Sequence, residues 1–600
     1  MTLLAIDFET YFDNECTLKR LNYIQYLNHP KFEVLGAAII HEQRHEFLTH
    51  DVLVDFLPDL DPTDTEVVAH KTAFDGLILS WRYGFNPRRW LDTMSMAKGL
   101  LALDSYSLES VGQHFELPHK KSATFKSKTW SELTFEEQRD LVDYARHDVW
   151  LCHEIYQRLM PYPEPELAII DHTIRLFTEP KFQLDTALAT SLLAEQKQHK
   201  KELIKETGLT KTQLSSNKQF AEILKTQHGF NAPTKISLTT GKETHALAKN
   251  DVEFQDMALN APPEVKKLIE ARLTIKSTIE ETRLETLIET QELVGAIPVP
   301  LNYYGGHTGR FSGAIFNLQN LPRNSKIRNT LCAPPGHTLV IADSASIEAR
   351  VLAWFAEQKD LLEVYRAKRD PYKRMAAAIY NKPETEITKE ERTIGKEATL
   401  GMGYSMGANK FHSALTKKNI LLTEQEAQRI TQIYRKTNDK VPQLWRFLDS
   451  KIPYMAQKKH NSMCQTNENP TYKCVTFEPF RIKLPNDLYL KYPNLHMTDD
   501  GWVYGNNKKL YGGALTENII QALARIIVLE QAMRAHTEVA PVVLHVHDEI
   551  VCCVPSYISK NKTDQALKDL INIMRTPPAW APDLPLDAEG EISPYYKKPA

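Results

Sequence analysis

The sequence predicts a multidomain chain of α/β and α+β type. Three observations predict it. Strand and helix signals alternate through residues 1–160. Residues 167–292 are polar and helical in period. Beyond 293, strand-like and helical stretches interleave, with an apolar strand–turn–strand run, VVLHVHDEIVCCV, at 542–554. A length of 600 residues allows about four domains, each long enough to bury its own core.

Taken in order, LLAIDFET and FEVLGAAII read as buried strands, and YARHDVWLCHEIYQRL as a helix. PYPEPE at 161–166 reads as a linker, because three prolines in six residues interrupt helix and sheet alike. Residues 195–225 hold seven lysines against four glutamates. That stretch is either a solvated helix face or a phosphate-tracking surface. TKISLTTGKETHALAKN at 234–250 reads as a loop or small hairpin, and 460–512, rich in Asn, Lys, Pro and Gly, as irregular chain.

Composition narrows the class. Hydrophobic residues make up 42% and charged residues 25%, which excludes disorder as the main state. The net charge is −3, so any nucleic-acid contact depends on local clustering of cations. No run of 18 apolar residues predicts a membrane span. MTLLAIDFET carries two acids and no basic n-region, against a secretory signal. Seven cysteines, at 16, 152, 332, 464, 474, 552 and 553, form no CxxC pair. Reduced thiols in a cytosol-like compartment are the expectation.

A first constellation is acidic. Asp7 and Glu9 lie two apart in an apolar strand, so they share a face. Two such carboxylates repel unless a cation lies between them. Asp75, in VVAHKTAFDGLIL, and Asp148, in YARHDVW, extend the set to four. Tyr144 precedes Asp148 by one helical turn and can orient an attacking water. Oxygen ligands of this kind suit Mg²⁺ or Mn²⁺, and a metal pair can activate water and stabilise a leaving oxyanion. The ordered set DxE, FD, YxxxD resembles the 3′–5′ exonucleases of the DEDD superfamily, tyrosine-bearing branch, over 1–160. Lys71 stands where those proteins usually have Asn.

A second constellation is distributed. Asp343 ends an apolar strand in HTLVIADSASIEARVLAW (337–354), and Asp548 sits at the turn of 542–554. Each carboxylate needs a partner, and a shared metal pair would provide one. Between them, in RTIGKEATLGMGYS (392–405), Arg392, Lys396, Leu400 and Tyr404 recur every four residues. This predicts one winding helical stripe, a cradle for a triphosphate followed by a base.

TGRFSGAIFNLQNLPR (308–323), DSASIEARVLAWF (343–355), RTIGKEATLGMGYS and VLHVHDEIV (543–551) resemble, in order, the polymerase motifs of the DNA polymerase I family, family A. The resemblance implies a DEDD-type, ribonuclease H-like exonuclease followed by a right-hand polymerase. The boundaries expected are exonuclease 1–160, linker 161–166, thumb 167–292, palm 293–354, fingers 355–500 and palm again 501–600. The layout resembles bacteriophage members, without the family's 5′-nuclease domain.

The implied activity is template-directed addition of deoxynucleotides to a primer 3′ end, with 3′–5′ proofreading. The resemblance implies two Mg²⁺ per active site, for which Mn²⁺ can substitute. Asp7, Glu9, Asp75, Asp148, Asp343 and Asp548 match metal ligands, and Glu549 the neighbouring acid. Arg392 and Lys396 match phosphate-binding cations, and Tyr404 the tyrosine that closes the nascent base pair. Leu400 lies on the same helix. Glu348 matches the acid that crowds the sugar 2′ position, and His547 the histidine beside the primer end. Arg310, Gln319, Asn320 and Gln521 match positions that contact primer–template. Ser344, Ser346, Tyr372, Leu400 and Ser405 depart from the family pattern around the nucleotide pocket. Primer–template DNA and dNTPs are the implied partners, with other replication proteins as further candidates and no membrane. The implied location is the cytoplasm of an infected bacterial host. Two alternatives stand beside this reading: a single-subunit RNA polymerase, and a non-catalytic DNA-binding replication scaffold.

Overall fold

The structure is a computed structural model. It describes the whole chain except residues 119–124, 238–240, 323, 419, 421, 458–470, 557–559 and 598–600. Cys464 and Arg323 therefore lie outside the described residues.

The N-terminal body is built on five strands: β1 (Thr2–Thr10), β2 (Val34–His41), β3 (Arg44–Thr49), β4 (Thr65–Ala69) and β5 (Arg89–Asp92). Their order is β3-β2-β1-β4-β5. β1 runs antiparallel to β2 and parallel to β4, so it is central. Leu4, Ala5, Ile6 and Phe8 are buried along it, consistent with its near-continuous apolar run. Helix α1 (Ala73–Tyr83) follows β4, and the long α2 (Phe135–Leu159) crosses the sheet. Thr134 starts α2 with a capping box closed by Glu137.

The predicted linker is corrected. Helix α3 (Glu164–Thr178) begins inside 161–166, because Pro165 falls in a first turn, where a missing N–H costs nothing. Glu166 is buried. α3 also docks on the exonuclease-side body: the Trp81 indole donates to the Thr178 carbonyl at 2.9 Å, and the Trp90 N–H to Asp171 at 2.7 Å.

Helices α4 (Thr186–Thr207), α5 (Pro263–Lys276) and α6 (Ile279–Val294) follow. Leu203, Leu214, Phe220, Leu224, Leu247, Phe254 and Ile269 form a separate core here. Two lysines of 195–225 face glutamates of α6, as Lys197–Glu285 and Lys200–Glu281. Within 234–250, strands Thr234–Ile236 and Glu243–His245 pair as a small hairpin.

The third sheet has the order β7-β8-β6-β9, from β6 (His337–Ser344), β7 (Val542–Val546), β8 (Glu549–Pro555) and β9 (Ala588–Ser593). Helices α7 (Ile347–Phe355), α8 (Pro371–Tyr380) and α9 (Lys389–Met402) follow β6. Helix α10 (Gly512–Glu538) and helix α11 (Lys560–Arg575) pack with the sheet. By length and composition α10 could cross a membrane, but 78% of its most apolar window is buried in the protein.

Two further expectations are corrected. Residues 471–509 are not irregular: seven short strands form a four-stranded and a three-stranded sheet. Strands of two to four residues leave no period to read. Those sheets pack away from the helical core of Met375, Ile394, Phe411, Ile430 and Tyr434, so the 355–500 span contains two differently packed parts. Helix α9 ends at Met402, so Tyr404 lies in the turn beyond it and not on the helical stripe.

Candidate active sites

Each predicted site is assembled from elements distant in sequence. In the N-terminal body, Asp7 and Glu9 project from β1 with Phe8 buried between them. The Phe8 N–H donates to the Asp75 carboxylate at 3.2 Å, which brings the first turn of α1 onto the same strand segment. Asp75 is buried, and burial pushes its carboxyl up to about 7. Asp148 is buried on α2, with Tyr144 one turn earlier. Cys152, one turn after Asp148, has its thiol raised by burial and by the charges of Asp7 and Asp75. The Asp148 face of α2 therefore looks onto the other acids.

Lys71 adopts φ 76°. This is the left-handed region, where Asn is at ease and Lys is not. Asp92 accepts its N–H at 2.7 Å, and its ammonium lies 5.3 Å from the Tyr23 ring centroid.

The second site is a cavity of about 790 Å³ on the palm-like sheet. Asp343, Asp548, Glu348, Arg310, Gln319, Arg392, Lys396, Leu400, Tyr404 and His547 all line it, with Ser344, Ser346 and Tyr372. The turn between β7 and β8 holds Asp548 against the end of β6, where the Ser344 N–H donates to the Asp548 carbonyl at 2.8 Å. Glu348 accepts from the Tyr404 hydroxyl at 2.9 Å and pairs with Arg310. Burial pushes the Tyr404 hydroxyl well up, and the Glu348 charge adds to it. Burial also lowers the His547 imidazole, beside Arg310 and Glu348.

Three predicted residues fall outside that lining. Glu549, opposite Asp343 in register, is buried in a pair with Arg328 at 2.8 and 3.0 Å and accepts from the Tyr596 hydroxyl at 2.5 Å. Asn320 is exposed, and Gln521 donates to Glu517 at 3.1 Å on α10.

Sequence reasoning missed Glu589, which lines the cavity and pairs in register with Asp343 from β9. It also missed Arg525, whose charge within the otherwise uncharged run 518–529 was the available signal. Ser346 and Ser405, both departures from the family pattern, take φ 54° and 65°. The second explains the glycine usual at that position.

The acids of both sites are the oxygen donors that a hard divalent cation takes, and the raised Asp75 carboxyl is one such a charge would relieve. Among the described residues, no group of three or more His, Cys, Asp or Glu side chains is arranged to hold a metal ion.

A carboxylate-bearing α/β body joined to a sheet with an acid- and cation-lined cleft is the build of a two-site nucleic-acid enzyme. The family model described as 3′–5′ exonuclease matches residues 5–162, and that for DNA polymerase family A matches 184–471. The chain belongs to DNA polymerase family A and carries a 3′–5′ exonuclease domain. Enzymes built from these two domains generally use divalent metals.

Among its relatives, the DNA polymerase of Bacillus phage SP02 is 24% identical, with both chains covered in full. DNA polymerase I of Aquifex aeolicus is 24% identical over 59% of this chain and 63% of its own length. The solved polymerase domain of Pol1 from M. smegmatis, in complex with DNA primer-template and dNTP, has a TM-score of 0.67 at 16% identity. It covers 99% of this chain and 95% of that one, a likeness of fold.

Proposed function

We propose that the cleft on the palm-like sheet adds deoxynucleotides to a primer 3′ end and that the N-terminal acids excise misincorporated ones. The observation that carries this is the single cavity in which Asp343 and Asp548 face Arg392, Lys396 and Tyr404. Phosphoryl transfer asks a protein mainly for positioning and charge stabilisation, and this lining offers both.

Asp343 and Asp548 would hold two divalent cations, Mg²⁺ in the first place, which supply an activated 3′-hydroxyl and a counter-charge for pyrophosphate. Asp7, Glu9, Asp75 and Asp148 would hold the pair that serves excision, with Tyr144 orienting the attacking water. Arg392 and Lys396 take the triphosphate, and Tyr404 and Leu400 meet the base. Glu348, fixed between Arg310 and Tyr404, excludes a 2′-hydroxyl. His547, Gln319 and Arg310 meet the primer end from the cavity wall, with Asn320 and Gln521 further along the duplex.

In this reading the thumb is the helical region with the separate Leu203–Ile275 core, the fingers hold α8 and α9, and the palm is the β6–β9 sheet. Full-length similarity to a Bacillus phage polymerase supports replication of a phage genome in the cytoplasm of an infected bacterium.

Primer extension with dNTPs, repeated with rNTPs and with Asp343→Ala, tests the reading. Magnesium-dependent dNTP extension lost in Asp343→Ala is expected. Equal use of rNTPs would favour an RNA polymerase, and no extension at all a scaffold.

A further inference from the structure

Resting on the reading of the cleft as a nucleotide site, we propose that Tyr372 is a positioning residue for the triphosphate. It carries Arg392 and Lys396 on its ring and latches them to the palm through Ser346.

Four observations converge on it. The Arg392 guanidinium lies 5.2 Å and the Lys396 ammonium 6.0 Å from the centroid of the Tyr372 ring. One aromatic ring thus lies within cation–π reach of both phosphate cations. The Tyr372 and Ser346 hydroxyls lie 2.8 Å apart. Ser346 is three residues past Asp343 and heads α7, so this bond ties helix α8 to the strand end that carries the palm aspartate.

Asp370 accepts the N–H groups of Tyr372 and Lys373, capping α8, and turns its other oxygen to Arg392 Nε at 2.6 Å. The guanidinium is therefore held from the edge by a carboxylate and from below by a ring. Lastly, a Cβ at Gly395 would lie 2.3 Å from the Tyr372 carbonyl oxygen and 2.9 Å from the Ala376 nitrogen. The missing side chain lets α9 lie directly on the α8 backbone, with Arg392 and Lys396 flanking that contact.

Both members of the latch differ from the residues common in the family. The two hydroxyls meet across the fingers–palm joint. The consequence is a fixed spacing between the phosphate cations and Asp343 before any nucleotide binds.

The test is single-nucleotide incorporation by the full chain, with excision and primer–template affinity measured alongside. Tyr372→Phe keeps the ring and removes the hydroxyl, and Ser346→Ala removes its partner. Each should raise KM for dNTP about 2–10-fold, the value of one hydrogen bond, with kcat, DNA affinity and excision held. The double variant should lose no more than either single one, because the two residues act through one bond. Tyr372→Leu, which also removes the platform, should raise KM about 10-fold or more.

Unchanged KM in Tyr372→Phe and Ser346→Ala, additive losses, or a joint fall in kcat, DNA affinity and excision would overturn the proposal. Lys396→Ala, run in parallel, separates the two levels. A loss there with normal Tyr372 and Ser346 variants sinks the latch alone. A normal Lys396→Ala sinks the nucleotide reading with it.

Discussion

Glu166 and Arg525 form a buried, two-pronged ion pair between α3, at the edge of the exonuclease body, and α10 of the palm. One arm closes at 2.9 Å, and the side chains are 2% and 3% exposed. The Tyr303 hydroxyl donates to the same carboxylate at 2.6 Å and the Asn486 amide at 2.7 Å. Burial alone would raise the Glu166 carboxyl, but the Arg525 charge and these bonds hold it below the ordinary range. Four chain segments meet on one carboxylate.

Glu166→Gln should therefore destabilise the protein by about 3–5 kcal/mol, because it strands a buried guanidinium. The sign of the pH effect follows from the lowered carboxyl. Its contribution is complete above the ordinary value near 4.5 and is lost as pH falls through the lower folded value. Urea midpoints of wild type and variant should differ constantly from pH 6 to 8 and converge in acid. A gap that widens in acid would contradict the pair.

Changing Asp7 and Glu9 together to Ala should abolish 3′ excision and leave extension largely intact. The acids sit on β1, and the polymerase cavity is lined by residues from 310 onward. Excision of a mismatched primer, measured beside matched extension, checks this. Loss of both activities in a folded double variant would refute independent sites.

Lys396→Ala should lower kcat/KM for dNTP about 10–150-fold, the cost of one charge-assisted contact of about 1.5–3 kcal/mol. Primer–template affinity should stay within about twofold, since Lys396 lines the cavity read as the nucleotide site. An ordinary surface lysine would leave both quantities unmoved.

Glu348→Ala should weaken discrimination against rNTPs by about tenfold or more, roughly 1.4 kcal/mol. Tyr404→Phe is the control. It removes the 2.9 Å hydrogen bond to Glu348 and leaves the carboxylate in place, so discrimination should largely persist. Equal relaxation in both variants would assign the selectivity to the tyrosine.

The parts legible in the sequence share one property: they are local. Period two placed Asp7 and Glu9 on one face, and one helical turn joined Tyr144 to Asp148. Asp548 at its turn is equally local, because strand–turn–strand needs no partner to be read. What the sequence hid depends on pairing at a distance. Glu166 looked like part of a proline-rich connector because its partner lies 359 residues away. The stripe through Tyr404 was over-extended because a four-residue repeat continues past the point where α9 ends. Glu549 matches a family position, but its bonds to Arg328 and Tyr596, neither adjacent in sequence, could not be read from that match.

Strand β9 has a consequence in time. It lies against β6, with Leu339 opposite Ser593, so the strand that carries Asp343 gains that neighbour only after about 250 more residues are made. At about 5–20 residues per second, β6 leaves the ribosome about 12–50 s ahead of its partner. The exonuclease sheet, complete by Asp92, faces no such delay. A nascent chain thus assembles the strand framework for removing nucleotides well before the one for adding them.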